Sequence, residues 1–190
     1  MASVPGAHDS TAAVRTYYEE HTTVVAVAQV VELAATVPLV LFVFGLFRSK
    51  WVDNANKSLL VAGGGVAVAA ILTTVPPLWL CVVGPTGPSD LLRNLVVLSD
   101  LVDVLLFLTI AWFATACWRV WRGPIWVGWT SLVVAALSAL RALELVAGQT
   151  VLAVVAPVAF LGLIATLSGY LLRRPPSSAG AELQARTRTA

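Results

Sequence analysis

Charged side chains are scarce in this sequence: they make up 12% of its 190 residues, against the roughly 25% usual in soluble domains. With 58% hydrophobic residues and a mean hydropathy of +0.86, that scarcity excludes a soluble globular domain and points to a polytopic membrane protein. Histidine is almost missing. His8 and His21 both fall outside the apolar runs, so a bis-histidine haem inside a bundle is excluded and a histidine-based metal site is not expected. Neither Lys50 nor Lys57 lies within an apolar run, which removes a retinal-type Schiff base. The two cysteines, Cys81 and Cys117, sit in different runs near opposite membrane faces, so no disulfide is expected. No phosphate-binding glycine loop, nucleophile elbow or HExxH pattern occurs. No basic stripe supports nucleic-acid binding, and no cofactor is implied.

Long apolar runs are what the sequence does have. Five of them, at about 23–47, 58–83, 91–118, 125–147 and 151–172, are each long enough for the roughly 20 residues that cross a bilayer as a helix. The fold class is therefore all-α: a polytopic membrane bundle of five transmembrane helices. Residues 1–22 form a polar segment without the basic start and short apolar core of a signal peptide. Asp9 or Ser10 is expected to cap a short interfacial helix over Thr11 to Glu20. Residues 173–190, rich in Ser, Ala and Arg, read as a disordered tail. Ser89 or Asp90 is expected to cap the third span, and Pro76-Pro77 to kink the second. No internal repeat is apparent, and an odd number of spans argues against a two-half transporter.

Orientation follows from the basic residues. Arg48, Lys50, Lys57, Arg119, Arg122, Arg173, Arg174, Arg186 and Arg188 fall on one side of this layout, whereas Arg15 and Arg93 fall on the other. The positive-inside rule then puts the N-terminus outside and the C-terminus in the cytoplasm of a cell-membrane protein. Trp51, Trp118, Trp121, Trp126 and Trp129 cluster near the basic side, as an aromatic anchoring belt does.

Against this apolar background a few ionisable groups stand out. Glu32 lies in the first span, Asp100 and Asp103 in the third, Arg141 and Glu144 in the fourth. Such residues persist in hydrocarbon only where they face the protein interior and find partners. All five fall in the outer half of their spans. Gln29 and Ser99 add hydrogen-bonding capacity at similar depth, as do Thr73-Thr74 beside the double proline. Four carboxylates and one guanidinium cannot all be ionised in a dry space without a cost of about 10 kcal/mol. Arg141 is expected to take Glu144 together with Asp100 or Asp103. If the faces converge, Gln29, Glu32, Ser99, Asp100, Asp103, Arg141 and Glu144 line one polar pocket open to the outer leaflet.

The run Tyr17-Tyr18-Glu19-Glu20-His21, the aspartates of Leu98-Ser99-Asp100-Leu101-Val102-Asp103, and Arg122-Gly123-Pro124-Ile125-Trp126-Val127-Gly128-Trp129 resemble a family of small uncharacterised multi-pass membrane proteins of actinobacteria. The resemblance covers about residues 15–174. It implies a common helical fold and supplies no activity. Arg141 and Glu144 fall outside its pattern, so a charged pocket is expected to be particular to this chain.

Three functions fit these features. One is binding of a lipid or lipophilic small molecule in the outer pocket. Another is a membrane-embedded acid/base enzyme, an isomerase or cyclase on an isoprenoid-like or other lipophilic substrate, with Glu32, Asp100 or Asp103 as proton donor or base and Arg141 orienting an oxygen. The third is an accessory subunit of a larger membrane complex, or a homo-oligomer, whose acids fix helix register alone.

Overall fold

The computed structural model describes residues 6, 9–49, 57–149 and 151–172. Expectations for His8, Lys50, Trp51 and the 173–190 tail lie outside these residues. The described chain forms five helices: α1 (Thr11–Phe47), α2 (Ser58–Val83), α3 (Ser89–Val120), α4 (Ile125–Val146) and α5 (Val155–Leu172). Each is long and apolar enough to cross a membrane, and the protein is a multi-pass membrane protein. Its outer surface is correspondingly apolar. Val24, Val82, Ile125 and Val151 are among many large hydrophobic side chains left exposed, an arrangement suited to contact with lipid tails and costly in water.

The first helix departs from expectation. The interfacial segment and the first span are one uninterrupted helix of 37 residues, about 55 Å long at 1.5 Å per residue, whereas the hydrocarbon core is about 30 Å thick. Its polar first turns therefore extend beyond the apolar span without a break. Ser10, not Asp9, is the N-cap: its hydroxyl accepts from the Ala13 N–H at 3.2 Å, while Asp9 Oδ2 accepts from the Gly6 N–H at 2.8 Å. The end of the bundle that carries this N-terminus is called the upper end below.

From Tyr18 downwards, the side chains that α1 turns towards its neighbours follow alternating steps of four and three residues: Tyr18, Thr22, Val25, Gln29, Glu32, Thr36, Leu39, Val43 and Leu46. All nine are buried or partly buried. That spacing is the seam of a left-handed helix pair, and α1 packs chiefly on α2. Near the lower end Gly63 of α2 lies against Val43, where an added Cβ would overlap both Val43 methyls. Small residues at such contacts let membrane helices approach closely.

Successive helices are neighbours, with α3 packed between α2 and α4, and α5 against α4. Gly45 on α1 faces Leu171 of α5 near the lower end. Two apolar clusters result. The lower one joins all five helices through Val43, Leu46, Leu59, Phe113, Val127 and Leu163; the upper one joins Val14, Tyr18, Leu80, Leu92, Leu95 and Val96. Arg15 Nη2 donates to Gly87 O at 2.8 Å and ties α1 to the α2–α3 turn above the upper cluster. The free cysteines belong to opposite ends.

Several helix ends also differ from the sequence reading. α3 has Pro88 as its N-cap, with no side-chain capping bond, and Ser89 and Asp90 are its first helical residues. Asp90 there interacts favourably with the positive end of the helix. α2 continues as one helix past Pro76 and Pro77, where the Thr73 and Thr74 hydroxyls donate to Ala70 O and Ile71 O at 2.8 Å each. α5 starts at Val155 because Val151–Val154 form turns, leaving Pro157 in the first helical turn where its missing N–H is tolerated. At the lower end the Trp121 indole N–H donates to Pro124 O at 3.1 Å. Tyr170 meets Trp121 edge-on at 5.5 Å, securing the α3–α4 turn to α5.

Candidate functional site: a polar layer between two apolar clusters

Between the two clusters the inward positions turn polar on four helices at once. The α1 seam supplies Gln29, Glu32 and Thr36; α2 supplies Thr73 and Thr74; α3 supplies Ser99, Asp100 and Asp103; α4 supplies Ser138 and Arg141. Their depth follows from sequence order, since each helix places these residues between its contributions to the upper and lower clusters or at the end of the lower one. Polar side chains at this level are held because every alternative orientation would put them in hydrocarbon.

On the α1–α2 side, Thr73 Oγ1 and Glu32 Oε1 are hydrogen-bonded at 3.1 Å, a bond between side chains 41 residues apart in sequence. Thr36 Oγ1 turns back on its own helix to Glu32 O at 3.3 Å. Gln29, one turn above Glu32, has its Oε1 buried without a hydrogen-bond partner. On α3, Asp103 interacts electrostatically with Glu32, Asp100 and Arg141. These three groups thus lie within electrostatic range of Asp103. Asp100 lies towards the upper end, close to Gly6, where an added Cβ would sit 3.8 Å from Asp100 Oδ2. Ser99 is partly buried beside it.

Arg141 is only 8% exposed, and its bonds explain how α4 ends. Nη1 lies 3.3 Å from Glu144 Oε2 and donates to Gln149 O at 2.9 Å, while Glu144 Oε2 also accepts the Leu152 N–H at 2.8 Å. Gly148 bends the chain with a φ of 69°, a conformation that costs glycine little. One ion pair thus serves two main-chain groups of the α4–α5 turn, Gln149 O and the Leu152 N–H, beyond the reach of the helical ladder. Arg141 Cζ lies 5.9 Å from the centre of the Phe107 ring on α3, at the limit of a cation–π contact. Glu144 joins the layer through Arg141.

Two donors of α4 are left over. Arg141 Nε is buried and unpartnered, as is the hydroxyl of Ser138, which is fully buried one turn earlier on the same helix face. Ser138 differs in this from Thr130 and Ser131, which both donate to Val127 O. Unpaired buried polar atoms cost about 1–3 kcal/mol each, so their presence in one layer marks a place where further hydrogen bonds can be made. Among the described residues no group of three His, Cys, Asp or Glu side chains is arranged to hold a metal ion.

A cavity of about 340 Å³ opens to the side of the bundle between α1 and α2, lined by Leu33, Thr36, Val37, Val40, Leu41 and Ile71. None of the seven residues singled out from the sequence lines it. It meets the layer at Thr36, which lines it and donates to Glu32 O. Composition alone does not reveal this groove, because its valines and leucines are indistinguishable from those that face lipid elsewhere. The part of Arg141 and Glu144 in the turn was equally hidden, since it runs through main-chain atoms, Gln149 O for Arg141 and the Leu152 N–H for Glu144.

Comparison with protein families, with curated proteins and with solved structures returns no match for this chain.

Proposed function

We propose that this protein binds a lipophilic molecule bearing a polar head, with the apolar chain in the α1–α2 groove and the head in the polar layer. The observation that carries this reading is that Thr36 both lines the groove and donates to Glu32 O within the polar layer. Its volume falls near the lower end of the roughly 300–1,000 Å³ typical of ligand sites, and an apolar lining beside a few polar groups is their usual chemistry. Entry is from the bilayer, because the groove opens sideways among exposed valines and leucines. The host is a cell membrane, with the N-terminus outside and the C-terminus cytoplasmic, as the distribution of basic residues favours.

Native mass spectrometry of the protein purified in mild detergent, combined with lipid extraction, tests the proposal. A discrete lipophile should accompany the wild type and be lost on Val37→Trp, which fills the groove. Ordinary bilayer lipids bound equally by both forms would refute it. The presence of Glu32, Asp100 and Asp103 at similar depth in the layer also favours a second reading, acid/base catalysis on that lipophile. Conversion of the extracted molecule by the wild type and not by Glu32→Gln would support catalysis; unchanged molecule with both would leave binding alone.

A further inference from the structure

We propose that Glu32 is a proton-holding site, a neutral carboxylic acid that donates its own O–H to the hydroxyl oxygen of Thr73. The inference concerns α1 and α2 and holds whether or not the groove is filled. It begins with the hydroxyl protons on this side of the layer. Thr73 Oγ1 lies 2.8 Å from Ala70 O and 3.1 Å from Glu32 Oε1. A threonine hydroxyl has one proton and two lone pairs, so one of these oxygens takes the proton and the other must bring a proton of its own. A main-chain carbonyl has none to bring.

The bond to Ala70 O is one that these helices make wherever a threonine occurs in the same setting. Thr74, Thr109 and Thr130 each donate to the carbonyl three residues back, and each at 2.8 Å. Thr73 repeats that geometry at the same distance, so its rotamer follows from its own backbone. Its proton goes to the nearer acceptor, and a lone pair is left for Glu32. Thr36 supplies nothing to the carboxyl either, because its hydroxyl donates to the Glu32 main-chain oxygen. One turn above, Gln29 Oε1 is a further buried acceptor without a donor. This side of the layer is short of protons.

No cation makes up the deficit. α2 carries no Lys or Arg, and α1 has none between Arg15 and Arg48. From α3 the group within electrostatic range of Glu32 is another acid, Asp103. On α4 the guanidinium of Arg141 is engaged by Glu144 and Gln149 O. A carboxylate with neither a donor nor a cation is costly at membrane depth. The acid form carries no charge and supplies the proton that the contact with Thr73 lacks.

Infrared spectroscopy of the full-length protein in detergent at neutral pH reads this proton directly, because the C=O stretch of a carboxylic acid is separate from the bands of a carboxylate. With isotope-labelled glutamate carboxyls, a label-sensitive acid band should be present in the wild type and lost in Glu32→Gln. Thr73→Val, which removes the receiving oxygen and keeps the shape of the side chain, should shift the band to higher frequency. A second measurement needs no variant. A lipophilic carbodiimide takes the proton of a carboxylic acid onto nitrogen while the carboxyl oxygen bonds to its central carbon; an O-to-N acyl shift then leaves a stable N-acylurea with no group expelled. Peptide mapping should find this adduct at Glu32, which is partly exposed, and not at Glu144, which is held by Arg141.

Absence of the acid band from the wild type would overturn the inference. So would its persistence in Glu32→Gln, or a frequency unmoved by Thr73→Val. An adduct at Glu144 alone, or at neither glutamate, would count against it equally.

Discussion

Removing the Glu144 carboxylate tests whether the α4–α5 turn depends on a buried ion pair. In Glu144→Ala, two bonds disappear, one from Arg141 Nη1 at 3.3 Å and one from the Leu152 N–H at 2.8 Å. Hydrogen bonds between membrane helices average about 0.6 kcal/mol, so bond counting alone gives a loss near 1.2 kcal/mol. The larger effect lies on the arginine. The two side chains are 10% and 15% exposed, and stripping a buried ion of its partner costs about 3–5 kcal/mol. We expect Glu144→Ala to destabilise by about 3 kcal/mol. Glu144→Gln, which retains an acceptor for Leu152, should cost about half as much. In the double variant Arg141→Met/Glu144→Ala no charge is stranded, so its loss should fall short of the summed single losses by about 1–3 kcal/mol. Equilibrium unfolding in mixed micelles, followed by the fluorescence of the seven tryptophans, provides the measurement. A Glu144→Ala loss below about 1 kcal/mol, or strict additivity in the cycle, would refute the claim that Arg141 depends on this partner.

Gly63→Ala should cost about 1–3 kcal/mol by forcing Val43 away, whereas Gly64→Ala, with nothing within 4 Å of its added Cβ, should stay within about 0.5 kcal/mol; thermal unfolding of the pair gives the comparison. Arg15→Ala removes the bond to Gly87 O, worth about 1 kcal/mol, and hydrogen exchange should quicken in the upper turns of α1 while that of α4 is unchanged. Tyr18→Ala empties a position 3% exposed in the upper cluster and should cost about 3–5 kcal/mol. For topology, Ser10→Cys in a background lacking Cys81 and Cys117 should react with a membrane-impermeant maleimide in intact cells; labelling only after lysis would reverse the orientation.

Much of the architecture was readable before any coordinates. The second span was bounded at 58 and 83 by its flanking Lys57 and Gly84, and α2 has those limits. The ends of α1 at Phe47 and α5 at Leu172 were marked by the basic residues that follow, since apolar runs stop where charge begins. The polar layer was legible for the same reason: an acid among valines is conspicuous. The break placed between the interfacial helix and the first span was misjudged because a change from polar to apolar surroundings alters side-chain chemistry without altering the helical backbone. Ser89 and Asp90 suggested a cap, yet Pro88 in extended conformation already ends the preceding turn, so they enter the helix. Least legible were features made by main-chain atoms or by shape. The service of Arg141 and Glu144 to the turn, and the groove along Val37 and Val40, depend on where helices sit and not on which residues they contain.

The bond between Thr73 and Glu32 has a consequence for how the protein is made. Ribosomes add roughly 5–20 residues per second, so the 41 residues that separate the partners take about 2–8 s to synthesise. For that interval the first span must enter the bilayer with its acid unaccompanied, and Asp103 and Arg141 emerge later still. A charged residue at the centre of an inserting helix costs about 2.5–3.5 kcal/mol, whereas each Val, Leu or Phe returns about 0.3–0.6. The valine-rich exposed flank of α1 therefore does more than meet lipid tails in the finished bundle. It is the ballast that lets a lone carboxyl cross first and wait for the helices that will receive it.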